Sequence, residues 1–287
     1  MIHIIITANI FIPTAYTQDT GSAKTYKGTV IDMSNAEKLQ YVNIGIKNSK
    51  YGTISDQRGC FEFKLPENIE FYSITFSSIG YQEFSLKIID IQDISNIQVE
   101  LSPIVYSLSE TIVESERLKQ KERGFKTKSR KMVAALNGKS FGSEIGSRIN
   151  IRKGQTLLKE LKFHVVVINP DSAIFRLKIY DMSSDTIGEN LLTENVIFTI
   201  NKNDIGVFTL DLLPYEIIVY NDILASVELL SIYPVDLVGK SVFSDRINVS
   251  IGIDLSNSGV YKKSASFNNW EYAAKNVSMG FWFTTLE

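Results

Sequence analysis

The chain of 287 residues has a single cysteine, Cys60, and two histidines, His3 and His164. One thiol forms no disulfide within a chain, and so few soft ligands build no thiolate or imidazole metal cluster, which removes most zinc enzymes. Charge of one sign is also missing. Thirty basic against thirty-two acidic residues leave a net charge of −2, too small a field to gather nucleic acid. There is no phosphate-cradling glycine loop, and the apolar run at the amino terminus falls short of the ~20 residues of a bilayer-spanning helix. The rest of the composition is ordinary. With 44% hydrophobic and 22% charged residues, disorder and collagen-like structure are excluded, and the length suits one large or two ordinary domains.

Residues 2–15 are predominantly apolar and lead into Ala15-Tyr16-Thr17 before Gln18, which puts small residues at the −3 and −1 positions of a cut. Residues 1–17 therefore read as a secretory signal peptide, although His3 stands where Lys or Arg is usual. The alternative is an apolar first strand. A signal peptide implies export to the periplasm, the outer-membrane surface or the cell surface, with no integral membrane span in the mature chain. No cysteine comes after the run to carry a lipid.

Residues 18–113 are short, β-rich and punctuated by turns, with candidate strands at 28–32, 42–47, 53–56, 60–65, 72–77, 83–88 and 97–101. Period-two alternation marks half-buried strands, so Phe61, Phe63 and Leu65 should point one way and Cys60, Glu62 and Lys64 the other. Seven strands make a small two-sheet domain. Residues 114–131 then carry eight basic and three acidic side chains. This reads as a basic linker over 114–140, a hinge between two mildly acidic domains. Contact with anionic lipid headgroups or surface glycan is the sharper alternative. Residues 141–287 give eight to ten further strand candidates, at 149–151, 157–168, 174–180, 196–200, 207–212, 217–219, 225–232, 249–254 and 279–284. No helical stretch alternates with them, so a jelly-roll-like sandwich fits better than any α/β fold. The fold class expected is all-β: two β-sandwiches in one chain.

The first of these domains resembles a known family. Gly28-Thr-Val-Ile-Asp32, Leu39-Gln-Tyr-Val-Asn-Ile44, Gly52-Thr-Ile-Ser-Asp-Gln-Arg-Gly-Cys-Phe61, Ile74-Thr-Phe-Ser-Ser-Ile-Gly-Tyr81 and Leu108-Ser-Glu-Thr-Ile-Val113 are similar to the carboxypeptidase regulatory-like domain. That domain is a transthyretin-like sandwich common in envelope proteins of Bacteroidetes-type bacteria. The motifs have mechanical readings: Asp56 and Gly59 bracket a tight turn, and Gly80-Tyr81 makes a second one whose ring covers the sandwich edge. Glu37-Lys38-Leu39 departs from the family's usual Glu-Pro-Leu in a loop. In that family the domain often precedes a TonB-dependent receptor, but a 22-stranded barrel at ~10 residues per strand does not fit in the remaining length. The zinc peptidase that accompanies similar domains in metallocarboxypeptidases cannot be assembled from His164 alone. Residues 155–287, with Phe175-Arg-Leu-Lys-Ile-Tyr180, Phe208-Thr-Leu-Asp-Leu212 and Trp270, resemble the carboxy-terminal half of secreted Bacteroidetes proteins that pair two sandwiches. No activity comes with that likeness.

Candidate sites are few. His164 in Phe163-His-Val-Val-Val167 reads as a strand residue, and Cys60 as a small hydrophobe. Asp181, Asp185 and Glu189, and the loop from Asp254 to Gly259, offer oxygen ligands that could take Ca²⁺, but plain turn chemistry is the favoured reading, and no cofactor is otherwise implied. Tyr261, Phe267, Trp270 and Tyr272, interleaved with Asn269, could stack on sugar faces while amides bond hydroxyls, or they could pack the sandwich. Together these features read as a non-catalytic exported binding or assembly protein with a glycan or envelope-protein partner. The alternative is a polysaccharide hydrolase using two carboxylates of the second domain.

Overall fold

The computed structural model describes residues 9–10, 22–104, 119–137, 141–151, 154–183, 186–233 and 248–287. The described chain is all-β, and its helical turns are the 3-10 turns at Ile88–Asp90 and Leu213–Tyr215. The first unit holds seven strands. A three-stranded sheet runs in the order β5 (Cys60–Pro66), β2 (Ala23–Asp32), β8 (Ile97–Leu101), and β2 and β8 are parallel. A four-stranded sheet runs β4 (Gly52–Ile54), β3 (Asn43–Gly45), β6 (Ser73–Ser77), β7 (Phe84–Lys87). The period-two pattern holds in β5: Phe61, Phe63 and Leu65 are buried, Glu62 and Lys64 are exposed and Cys60 is half-buried. The three buried residues join Tyr26, Val30, Ile44, Ile74, Phe76 and Val99 in one core.

The two turns that the sequence singles out are structural. The Asp56 carboxylate accepts the N–H groups of Arg58 (2.8 Å) and Cys60 (2.9 Å), and Gly59 closes the turn at φ +71°. Gly80 sits at φ +87°, and the Tyr81 ring packs on the first core. Its hydroxyl donates to Asp32 at 2.8 Å. Burial, then the bond and charge of Asp32, push the Tyr81 phenol up to about 12. Two donors from Ser34, its hydroxyl and its backbone N–H, hold the Asp32 carboxyl below its ordinary value.

The second unit has two larger sheets. One is six-stranded, in the order β14 (Val196–Asn201), β13 (Ser172–Asp181), β17 (Ile223–Tyr233), β11 (Glu144–Ile149), β19 (Val260–Lys263), β20 (Glu271–Ala274). The other takes the path β1 (Asn9–Ile10), β10 (Val133–Asn137), β18 (Asn248–Leu255), β12 (Thr156–Ile168), β22 (Phe281–Leu286), β9 (Gln120–Gly124). Strands β15 (Gly206–Asp211) and β16 (Ile218–Val219) attach to β12, and β21 (Val277–Met279) attaches to β18. Phe163, Phe175, Leu177, Val227, Ile251, Phe281 and Phe283 fill the space between the sheets.

The basic segment is not a tether where it is described. Strand β9 pairs with β22 from Gln120↔Leu286 to Gly124↔Trp282, and β10 pairs with β18 over five residues. Thr127 is buried and donates to Ile253 O, while Arg123 grips Glu287 with two nitrogens. Lys and Arg are at home on an edge strand because its outer side meets water, so the composition signalled exposure and not irregular chain. Asn9 and Ile10, inside the expected signal peptide, pair in parallel with Val133 and Ala134; the rest of residues 1–21, and 105–118, lie outside the described residues.

Gly124 fixes the end of β9. Its φ is +105°, and a Cβ there would lie 2.3 Å from Phe281 O. Gly124→Ala should therefore destabilise the chain by about 2–4 kcal/mol, through backbone strain and steric overlap together. The measurement is a urea midpoint that falls at constant slope.

Candidate functional site

Strand β13 alternates Ala173, Phe175, Leu177 and Ile179 into the core, so Arg176, Lys178 and Tyr180 point to the opposite face of the six-stranded sheet. In a two-layer sandwich that face ordinarily meets water. Here Arg176 is 0%, Lys178 5% and Tyr180 8% exposed. Register brings matching charges beside them: Arg176 opposes Glu228, Glu228 opposes Glu144, and Glu144 opposes Lys263. One row thus crosses four strands.

Lys178 Nζ lies between the two carboxylates, 2.8 Å from Glu144 Oε1 and 3.1 Å from Glu228 Oε2. Lys263 Nζ reaches Glu144 Oε1 at 3.3 Å, and Arg176 Nη1 lies 3.4 Å from Glu228 Oε2. The second Glu144 oxygen accepts from Tyr180 OH (2.8 Å) and Ser226 Oγ (3.1 Å). The Glu228 Oε2 contacts are ion pairs outside hydrogen-bond geometry. Three cations face two carboxylates, leaving one positive charge in excess.

The first sandwich covers this row. Arg176 Nη2 donates to Tyr41 O, and Tyr41, Ile54 and Leu230 form a small apolar cluster joined by Phe141, Ile174 and Ile197. The loop at 264–268 completes the seal: Ser266 Oγ bonds Glu228 Oε1 at 3.4 Å, Asn48 N donates to Phe267 O, and the Phe267 ring lies against Gly45. A Cβ at Gly45 would come within 2.7 Å of Tyr51 O and 3.0 Å of that ring, so only glycine leaves the room.

Burial alone pushes the Glu144 carboxyl up, but the ammonium groups of Lys178 and Lys263, with hydrogen bonds from Lys178 and Tyr180, outweigh it and hold the group at about 2. Burial, then the charge of Glu144, pushes the Tyr180 phenol well above its ordinary value. Glu144 and Glu228 are the second domain's closely paired buried carboxylates, and both are fully covered and engaged by cations. In this arrangement neither can meet a sugar as acid, base or nucleophile.

The structure divides the aromatic group that the sequence brings together. Phe267 belongs to the junction between the sandwiches. Trp270 is half-buried and stands edge-on to Tyr180 with centroids 5.4 Å apart, over a cluster of Tyr180, Met182 and Leu224 that Tyr261 also joins. Lys263 Nζ lies 5.4 Å from the Trp270 ring centroid, which ties the aromatic rim to the charged row. Tyr272, 46% exposed, meets Tyr261 edge-to-face at 5.0 Å and lies directly over Gly259. Asn269 is exposed beside them.

The other candidates separate too. Asp181 and Glu189 face one another through backbone, with Asp181 N donating to Glu189 O, and the Asp181 carboxylate accepts from Ser183 Oγ; Asp185 lies outside the described residues. Asp254 bonds the N–H of Leu255, which is turn chemistry. Among the described residues no group of three His, Cys, Asp or Glu could hold a metal ion. His164 is buried in β12, and the Cys60 thiol sits 3.9 Å from Thr29 Oγ1. Sequence reasoning missed the charged row. Its signal was present in Arg176-Leu-Lys-Ile-Tyr180 and Val227-Glu-Leu229, charged residues at alternate positions of strands whose other positions are aliphatic.

Residues 26–113 match the family described as the CarboxypepD_reg-like domain, so the first sandwich is a regulatory-like domain of that kind. Among solved structures the chain is similar to the cysteine protease and lectin-like domains of a surface layer associated protein of Clostridium difficile, at 8% identity and TM-score 0.36, over 86% of this chain and 59% of that one. It is also similar to the structure of infectious bursal disease virus Gx strain, at 12% identity and TM-score 0.31, over 92% of this chain and 59% of that one. The chain thus spans 59% of the length of each, and at these TM-scores neither likeness bears on function. No curated protein matches it. Among the described residues no helix is long and apolar enough to cross a membrane.

Lys178 is the cation that contacts both carboxylates, and without it Glu144 and Glu228, opposed in register and buried, lose the ammonium between them, so Lys178→Met should cost about 3–5 kcal/mol. Glu144 adds an acid limb. Its ordinary value is 4.5 and its folded value about 2, so the unfolded chain takes the proton first and stability is lost as pH falls through that window. Denaturant titrations from neutral pH down to pH ~2 should show this limb, and Glu144→Gln should flatten it.

Proposed function

We propose that the protein is a non-catalytic, exported cell-envelope protein that binds glycan on the aromatic rim of its second sandwich. The observation that carries this reading is the grouping of Tyr261, Trp270 and Tyr272 on one face, with the exposed Asn269 amide next to Trp270 in the chain. Rings of this kind offer apolar faces to sugar C–H groups, and amides give direction through hydroxyls. The regulatory-like family of the first sandwich supports a binding role. The sealed Glu144 and Glu228 weigh against the hydrolase reading.

Tyr272→Ala is the cleaner probe, since Tyr272 is exposed whereas Trp270 also roofs Tyr180, Met182 and Leu224. On a panel of bacterial and host polysaccharides, Tyr272→Ala should weaken binding about 5- to 10-fold, the loss of roughly 1 kcal/mol of aromatic contact, with an unchanged thermal midpoint. Unaltered affinity would send the search to the envelope-protein partner, and sugar release by the wild type would revive the hydrolase.

Export is the second part of the proposal. The mature chain should begin at or near Gln18, a cut that takes β1 (Asn9–Ile10) from beside β10 at the end of its sheet, and N-terminal sequencing of protein recovered from native cells tests it. An intact 2–17 segment on soluble cytosolic protein contradicts it.

A further inference from the structure

Among the described residues β7 pairs with β6 alone and is an edge of the four-stranded sheet. Ile88 N donates to Tyr72 O at 3.0 Å, and the register places Lys87 opposite Ser73 and Phe84 opposite Phe76. Antiparallel ladders alternate, so the backbone groups of Phe84, Leu86 and Ile88 point into the sheet and those of Glu83, Ser85 and Lys87 point outward. Phe84, Ser85 and Lys87 are exposed and Leu86 is half-buried. An open edge of this kind is a template for another strand unless proline, a bulge, short length or charge blunts it. The segment Glu83-Phe-Ser-Leu-Lys87 has no proline and pairs with β6 without a bulge, and although it is short its two charges, Glu83 and Lys87, are opposite in sign and can match those of a second copy.

Its chemistry is self-complementary. Run antiparallel against itself about Ser85, the segment sets Glu83 against Lys87, Phe84 against Leu86 and Ser85 against Ser85. Only registers that oppose two outward-pointing residues are allowed, and this one satisfies the condition at all three of Glu83, Ser85 and Lys87. The apolar pairs then fall at the non-hydrogen-bonded positions, where side chains approach most closely. We propose that β7 is an interface for a second copy of this chain, joined by antiparallel β7–β7 pairing into one eight-stranded sheet. Phe84, whose ring already packs on Phe76 at 6.4 Å and is 40% exposed, loses that exposure on pairing. Glu83 now pairs with Lys47 in an exposed bridge, which is weak enough to share its carboxylate. Phe71, 91% exposed, and Ile89, 65% exposed, stand at the end of the same edge and add apolar surface there.

Sedimentation velocity of the full chain over a wide concentration range should show a dimer. Ser85→Pro removes an outward N–H and the single side-chain bond to the buried Thr75 Oγ1, so the fold should stand, as proline is tolerated on edges, while the dimer is lost. Glu83→Lys should weaken the dimer about tenfold by removing two cross-strand ion pairs and placing like charges opposite, and adding Lys87→Glu should restore it. A monomeric wild type, or a dimer that survives in folded Ser85→Pro protein, overturns the proposal. Should Ser85→Pro lower the thermal midpoint, the charge exchange decides, and failure of the double variant to recover the dimer overturns it equally.

Discussion

The row Arg176, Glu228, Glu144, Lys263, with Lys178 set between the carboxylates, is the constraint on which the rest of the molecule depends. Each ion removed from water costs several kcal/mol, and only good mutual geometry returns it. That geometry has two requirements. Strands β13, β17, β11 and β19 must keep one register, because a slip of one residue would turn the charges into the aliphatic core and the core into the covered face. A lid must also exclude water, and the lid is the first sandwich with the loop at 264–268. The Tyr41 carbonyl accepts from Arg176, and the Ser266 hydroxyl reaches Glu228. The regulatory-like domain is thereby part of the second domain's architecture.

Close approach is what makes the lid fit. Gly45 and Gly52 lie on neighbouring strands of the first unit, and a Cβ at either would press on the loop, against Phe267 from Gly45 and at 2.9 Å from Ala265 Cβ at Gly52. Two bare backbones side by side form a flat seat. The loop that occupies it carries Phe267, so an aromatic residue that looks like a ligand contact in the sequence is a packing wedge. Tyr41 and Asn48, at φ +56° and +57°, accept left-handed backbone in the same contact region, where local strain is held by surrounding contacts.

The strands were largely legible because their signal is local. Period-two alternation over 60–65, 174–180 and 225–232 depends on neighbours two residues away, and the structure places strands there. The turns at Asp56-Gly59 and Gly80-Tyr81 were legible for the same reason. Two features were hidden. Arg176, Lys178 and Glu228 look like a solvated outer face, and nothing within β13 or β17 tells that another sandwich lies on top. The basic stretch looks like a hinge, because β9 has five residues with no apolar face and is ordered by its ladder to β22 and by the Arg123–Glu287 pair, 164 residues apart in sequence. Tertiary coverage and long-range pairing decide both cases.

The aromatic rim and the charged row share a residue, and this shapes how any ligand is held. Lys263 touches Glu144 on one side and the Trp270 ring on the other. With three cations against two carboxylates, its ammonium is the part of the row nearest the rim, so its charge contributes to holding Trp270 in place. Trp270 is then not a free platform. A sugar that stacks near it meets a ring whose position is already set by Tyr180, Lys263 and, through Glu144, the seal between the sandwiches. Preorganisation of this kind reduces the ordering cost of binding. It also means that affinity and stability are coupled at Trp270 but separable at Tyr272, which is 46% exposed and tied to the sheet through Tyr261 and Gly259.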